Sequence, residues 1–224
     1  MLGGVHVVDS TRPLLVWERP YYPTYYFPLA DVASGVLRET DDSLRSPSDP
    51  VRYDVVVGDR KAEASARRYP ESPNPEIRDH VRLTWHEMDH WFEEDEEVFV
   101  HARDPYSRVD ILSSSRHVRV AVGGTTVAET DNPVILFETG LRPRYYFRKT
   151  DVAMELLTPT DTATQCPYKG QAEYWSVTVD GTTHDDLAWS YRSPFRESGP
   201  IAGLIAFYDE KVDTYVDGEA LAEL

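Results

Sequence analysis

A single cysteine stands where its neighbours could activate it. Cys166 closes a polar stretch, Thr160-Asp-Thr-Ala-Thr-Gln165, and Lys169 follows three residues later, with Pro167 and Gly170 holding a tight turn. An ammonium near a thiol favours the thiolate, the nucleophilic form. On that reading Cys166 and Lys169 are a reactive, catalytic pair. On the plainer reading Cys166 is a small buried hydrophobe and Lys169 pairs with an acid. Glu138 ends the apolar run Val134-Ile-Leu-Phe137, where a carboxylate is costly unless it is paired. It either orients a ligand or buttresses the fold. Arg144 sits beside Tyr145 in a basic cluster with Arg142, Arg148 and Lys149. Such a cluster can focus an anionic ligand, or can simply pair with surplus acids. Tyr168, Trp175, Trp189, Tyr191 and Tyr208 are core residues at alternating strand positions or the walls of an aromatic pocket.

Two further groups carry chemistry on paper. His86-Glu-Met-Asp-His90 spells H-E-x-x-H, which on a helix would aim two imidazoles at zinc with Glu87 as base. The preceding Val81-Arg-Leu-Thr-Trp85 reads as a strand, so no metal is expected there. His101, Arg103, Asp104, Arg108 and Asp110 lie in a dense polar stretch. They either staple two domains through buried ion pairs or complete a site at their interface.

Short strands position these residues. Val118, Val120 and Val122 alternate with Arg119 and Ala121. Trp175, Val177 and Val179 alternate up to an Asp180-Gly181 turn, a hairpin signal. With 16 Pro and 12 Gly spread through 224 residues, long helices are not expected. One short helix is predicted over 150–157, capped by Thr150, with a weaker counterpart over 30–38 that carries Gly35.

The chain also repeats. At an offset of 120 residues, positions 3–41 match 123–161 at 15 of 39 places without a gap. Glu18 falls on Glu138, Tyr25-Tyr-Phe27 on Tyr145-Tyr-Phe147, and Asp31-Val-Ala33 on Asp151-Val-Ala153. Looser echoes follow: Tyr53-Asp-Val-Val with Tyr174-Trp-Ser-Val, Arg68-Tyr69 with Ser190-Tyr191, and Val81-Arg-Leu with Leu204-Ile-Ala. The predicted organisation is a degenerate first copy over 1–97, a joining segment over 98–116 packed on the domains, and a second copy over 117–224. Ser46-Pro47 stands where the second copy has Cys166, so a single site would belong to the second copy.

Composition narrows the partners. Lys plus Arg number 23 against 39 Asp plus Glu, a formal charge of −16. That sign argues against a nucleic-acid surface and an anionic membrane surface. The first residues show no basic or apolar leader pattern, and one cysteine cannot form an intrachain disulfide. A reducing, cytoplasmic setting is therefore expected.

Glu138-Thr-Gly, Tyr145-Tyr-Phe, Asp151-Val, Cys166-Pro-Tyr-Lys-Gly-Gln-Ala172, Trp189-Ser-Tyr and Ala206-Phe-Tyr-Asp209 resemble domain-of-unknown-function family 427, in two tandem copies. The resemblance implies a mainly β fold, each copy a small tent-like (Mss4-like) domain. Many tent folds hold zinc through four cysteines; with one cysteine, no structural zinc is expected. A nucleotidyltransferase label attached to the family finds no Gly-Ser followed by a paired Asp-x-Asp here. The expected function is binding, and on one reading transformation, of a small polar or anionic molecule in the second copy. Cys166 and Lys169 would be reactive, with Glu138, Arg144, Tyr145, Tyr168, Trp175 and Tyr191 around the ligand and no cofactor. The alternative is a non-catalytic ligand- or peptide-binding scaffold.

Overall fold

Alternating apolar residues build strands here, and turn residues break them before any long helix can form. The computed structural model describes residues 1–41, 46 and 49–221. The first eight strands are β1 (Leu14–Arg19), β2 (Tyr22–Pro28), β3 (Leu37–Glu39), β4 (Val51–Val57), β5 (Arg60–Arg68), β6 (His80–Leu83), β7 (Phe92–Glu93) and β8 (Glu96–Glu97). The next six are β9 (Val109–Ser113), β10 (Val118–Val122), β11 (Thr125–Thr130), β12 (Val134–Glu138), β13 (Arg144–Phe147) and β14 (Leu157–Cys166). The last five are β15 (Gly170–Val179), β16 (Thr182–Ser190), β17 (Ile205–Phe207), β18 (Asp213–Val216) and β19 (Glu219–Ala220). No helix among the described residues is long and apolar enough to cross a membrane.

The chain divides into two compact units, Met1–Asp104 and Pro105–Leu224. The stretch 98–116 is therefore split. Val98 and Ala102 are buried in the first unit, whereas β9 is an edge strand of the second.

Each unit carries the same antiparallel sheet. The first runs β1-β2-β6-β5-β4-β3, and the second β12-β13-β17-β16-β15-β14 with β9 added outside β12. The register repeats as well: Leu15 faces Tyr25 in the first sheet, and Ile135 faces Tyr145 in the second. The bridge Val8–Val32 recurs as Ala128–Val152. Beyond β3 the correspondence slips. Tyr53 faces Ala66 as Trp175 faces Ala188, so Tyr53 corresponds to Trp175 and Arg52 to Tyr174. Val81 likewise corresponds to Ile205, since they face Phe27 and Phe147. The connections after β3 and after β5 differ in length between the copies, which moves these echoes by one residue.

Both sheets share a bulge. The register breaks after Tyr53 in β4 and after Trp175 in β15. On the partner strands Ala64 and Asp186 take left-handed φ of 46° and 48°. A bulge adds local twist and bends its strand. Asp54 Oδ1 accepts the Ala64 N–H at 2.8 Å, and Asp186 accepts Thr160 and Thr162 hydroxyls at 2.6 and 2.7 Å.

The helix predicted over 150–157 is two single 3-10 turns, Lys149–Asp151 and Met154–Leu156. Val152 between them is extended, at φ −119° and ψ 136°, because it bridges to Ala128 and is buried in the core. Leu29–Asp31 is the matching turn in the first unit.

In the second unit the large sheet packs one face against the smaller sheet β11-β10-β18-β19. Val118, Val120, Phe147, Trp175, Val177, Ile205 and Phe207 fill the space between. Strand alternation sends Leu136, Tyr146, Tyr174, Trp189 and Ala206 to the opposite, outer face. That outer face carries the candidate site.

Candidate functional site

A row of cross-strand neighbours crosses the outer face of the second sheet. Tyr146 faces Ala206, Ala206 faces Trp189, and Trp189 faces Tyr174. The small Ala206 leaves room between large rings. Above the row lies a cavity of about 390 Å³, bounded by these three rings, Tyr191, Tyr208 and the pairs Glu138–Lys169 and Arg144–Glu210.

The rings are tied to one another. Trp189 and Tyr208 lie 4.6 Å apart at 48°, and Tyr146 meets Trp189 edge-on. Trp189 Nε1 donates to the Tyr146 hydroxyl at 3.3 Å. The Tyr174 hydroxyl bonds Thr164 at 2.9 Å and lies 3.4 Å from that of Tyr208. Burial pushes the Tyr146 and Tyr191 phenols up, and burial with the Tyr174 contact pushes Tyr208 up to about 12. All three are neutral hydroxyls at pH 7. That of Tyr191 makes no hydrogen bond among the described residues, so it is a free polar handle on an apolar wall.

The charged wall starts from Glu138, at the end of β12. Lys169 Nζ donates to its Oε2. The two side chains are 9% and 11% exposed, so each ion depends on the other for its loss of water. Lys169 belongs to the turn between β14 and β15, and three strands separate β15 from β12. A flat sheet would put four strand spacings, about 19 Å, between them. The contact therefore requires the sheet to curl over the outer face. Gly170, at φ +93°, lets the chain leave the turn. The Phe195 N–H donates to the Lys169 carbonyl at 3.2 Å, and the Ser198 hydroxyl donates to the Tyr168 carbonyl at 3.0 Å.

Arg144 forms the second pair. Its two terminal nitrogens lie 2.9 and 2.5 Å from Glu210, and Nη1 is 3.1 Å from Asp209. Arg144 also sits over the Trp189 ring at 5.7 Å. Its hydrogen bonds hold Glu210 below the usual carboxylate range, whereas burial holds Asp209 above it.

Of the residues singled out from sequence, Glu138, Arg142, Arg144, Lys169, Trp189, Tyr191 and Tyr208 come together on this cavity. Tyr145 and Trp175 do not: they alternate with Tyr146 and Tyr174 and face the inner core. Cys166 is half-buried against the outer apolar cluster and is absent from the cavity wall. Tyr168 is half-buried in the turn. Sequence reasoning named Trp189 but not Tyr146 and Tyr174; the signal for these two was their opposite parity to Tyr145 and Trp175. A larger cleft of about 550 Å³ runs along β10, the 209–212 loop and β18, but its walls offer no comparable set of rings.

The other candidates lie elsewhere. His86 falls in the 3-10 turn Trp85–Glu87, and His90 Nδ1 bonds Glu97 at 2.6 Å, so the helical spacing of H-E-x-x-H is not realised. Arg103 lies 3.9 Å from Glu93, Asp104 accepts Trp17 Nε1 at 3.1 Å, and Arg108 pairs with Asp110 at 2.9 Å. His101 Nδ1 lies 2.7 Å from the Ala102 carbonyl. Pro47, the supposed counterpart of the Cys166 turn, lies outside the described residues.

A model of the family described as "Domain of unknown function (DUF427)" matches residues 1–94 and again 110–218. The chain belongs to the DUF427 family. Both matched stretches carry the same sheet, so the two DUF427 copies are tandem in structure as in sequence. No curated protein matches the chain. The two DUF427 copies treat their shared glutamate differently. Glu18 in the first accepts the Tyr26 hydroxyl at 2.6 Å and pairs with Arg82 at 3.2 Å. In the second copy Ala206 replaces Arg82, and Lys169 supplies the cation from the turn.

Proposed function

We propose that the second DUF427 copy binds a small molecule with a flat, unsaturated body and an anionic end. The observation that carries this reading is the cavity in which aromatic faces and a buried Glu138–Lys169 pair share one wall. Pockets of 300–1,000 Å³ with apolar walls and a few convergent polar groups suit small ligands. Trp189 and Tyr208 offer ring faces for stacking. Lys169 spends one N–H on Glu138 and has two more to offer. The neutral Tyr191 hydroxyl stands nearby.

The role is binding rather than covalent catalysis. Cys166 packs against the apolar cluster and does not line the cavity, and the Lys169 ammonium is paired with the Glu138 carboxylate. Lys169 then serves as an anchor, with Glu138 fixing its direction. The lone cysteine favours a cytoplasmic setting, and the charge of −16 disfavours nucleic acid and anionic membranes as partners.

The test is thermal stability against a panel of planar aromatic carboxylates such as nicotinate, 4-hydroxybenzoate and indole-3-acetate. A ligand at 100 times its dissociation constant adds about 2.7 kcal/mol. The expected result is a saturable rise for at least one acid, lost for the matching amide and in Tyr208→Ala. Equal response to acid and amide, or none to any of the panel, would remove the proposal.

A further inference from the structure

The row that is aromatic in the second copy is cationic in the first. Tyr26 faces Arg82, Arg82 faces Arg67, and Arg67 faces Arg52. These are the positions of Tyr146, Ala206, Trp189 and Tyr174. Directly opposed residues hold their Cβ atoms about 4.5–5.5 Å apart, and like charges so placed repel. Three guanidinium groups thus stand side by side on one face of a sheet.

One acid answers them. Glu18 pairs with Arg82 at 3.2 Å, with its carboxylate also accepting the Tyr26 hydroxyl. Arg52 and Arg67 make no ion pair or side-chain hydrogen bond among the described residues, and the Arg67 Nε is buried without a partner. Acids are not scarce, given 39 Asp and Glu in the chain. Other arginines of this copy find them: Arg12 pairs with Asp31, Arg60 with Asp89, and Arg68, next to Arg67 but on the other face, with Asp79. What sets the row apart is that its three arginines face one another on paired strands with Glu18 as their one acidic partner among the described residues.

From this we infer that the Arg52–Arg67–Arg82 row is a binding site for the oxyanion group, phosphate or carboxylate, of a small molecule. Guanidinium forks match both groups with paired N–H donors. A bound oxyanion would offset two uncompensated cations and give the buried Arg67 Nε an acceptor. The site is confined to three strands of an acidic chain, which suits a compact anion and not a nucleic-acid backbone. It is independent of the aromatic cavity, since it lies in the other copy.

The test titrates the full chain with inorganic phosphate, pyrophosphate and citrate at constant ionic strength, by calorimetry and thermal shift. At least one should bind saturably. Arg52→Gln and Arg67→Gln should each weaken binding by about tenfold or more, the loss expected for a charge-assisted bond. Arg192→Gln, an exposed arginine of the second copy, should leave it unchanged. Arg52 is itself exposed, so that variant should fold, and without anion both variants should melt at or above the parent temperature. A response to phosphate and pyrophosphate alone assigns a phosphate, and one to citrate alone a carboxylate. No saturable binding of any of the three, or binding that survives the Arg52→Gln/Arg67→Gln double substitution, overturns the inference.

Discussion

Removing Lys169 should be far more damaging than removing its functional counterpart in the first copy. Lys169→Met keeps the stem of the side chain and deletes the ammonium, leaving the Glu138 carboxylate, 9% exposed, without its cation. Breaking a buried pair in this way costs about 3–5 kcal/mol. Arg82→Met deletes the cation facing Glu18, but that carboxylate is 32% exposed and keeps the Tyr26 hydroxyl at 2.6 Å. Water and the phenol screen the loss, which should be about 1 kcal/mol or less. At roughly 4 °C per kcal/mol for a unit of about 100 residues, Lys169→Met should lower the second unit's melting temperature by about 10–20 °C. Scanning calorimetry on the full chain reads both variants. The double change Glu138→Leu/Lys169→Met replaces the pair by apolar groups and should recover most of the loss. If Lys169→Met costs no more than Arg82→Met, or the double is no better than the single, the buried pair is not what holds this wall.

Ala64 holds a left-handed φ of 46° that costs an L residue about 1–2 kcal/mol. Ala64→Gly should therefore raise stability by about 0.5–1 kcal/mol in urea unfolding, after glycine's greater unfolded-state freedom is subtracted. Asp186 at the β16 bulge and Asp209 in the 209–212 loop should show pKa shifts in opposite directions by carboxyl carbon NMR. Asp209 is raised above its ordinary 3.8 by burial, so its contribution is full below the unfolded value and is lost as pH rises through the folded one. Asp186 is lowered by the Thr160 and Thr162 hydroxyls, so its contribution is present above the unfolded value and is lost as pH falls through the folded one. Asp186→Asn should accordingly blunt acid unfolding, and Asp209→Asn should not.

Much of the architecture was legible because strand parity and duplication both leave marks in sequence. The Tyr-Tyr-Phe match at a fixed offset gave the correct register for β2 and β13, since no length change intervenes. Past β3 the connections differ in length, so Tyr53, which looks like Tyr174 in sequence, occupies the position of Trp175 in its sheet. That one-residue slip reverses which face a side chain takes. The arginine row is hidden for the same reason: Arg52, Arg67 and Arg82 come from three strands and meet only through the register. Glu138 and Lys169 were legible as a strand-end acid and a turn cation, but their contact depends on sheet curl, which no local pattern encodes. Tyr145 misled for the reverse reason. It stands between Arg144 and Tyr146 in sequence, yet a strand sends neighbours to opposite faces.

The proposed ligand site is the outer face of the second sheet, against the Trp189 row. Trp189 and Trp175 belong to paired strands of that sheet and lie on opposite faces, in separate apolar clusters. Their indole N–H resonances, assigned through Trp→Phe variants, can be followed in one nitrogen–proton NMR titration with a binding aromatic carboxylate. The account predicts a saturable shift of the Trp189 signal while that of Trp175 stays in place. Movement of Trp175 alone, or of neither signal under saturating ligand, would contradict it.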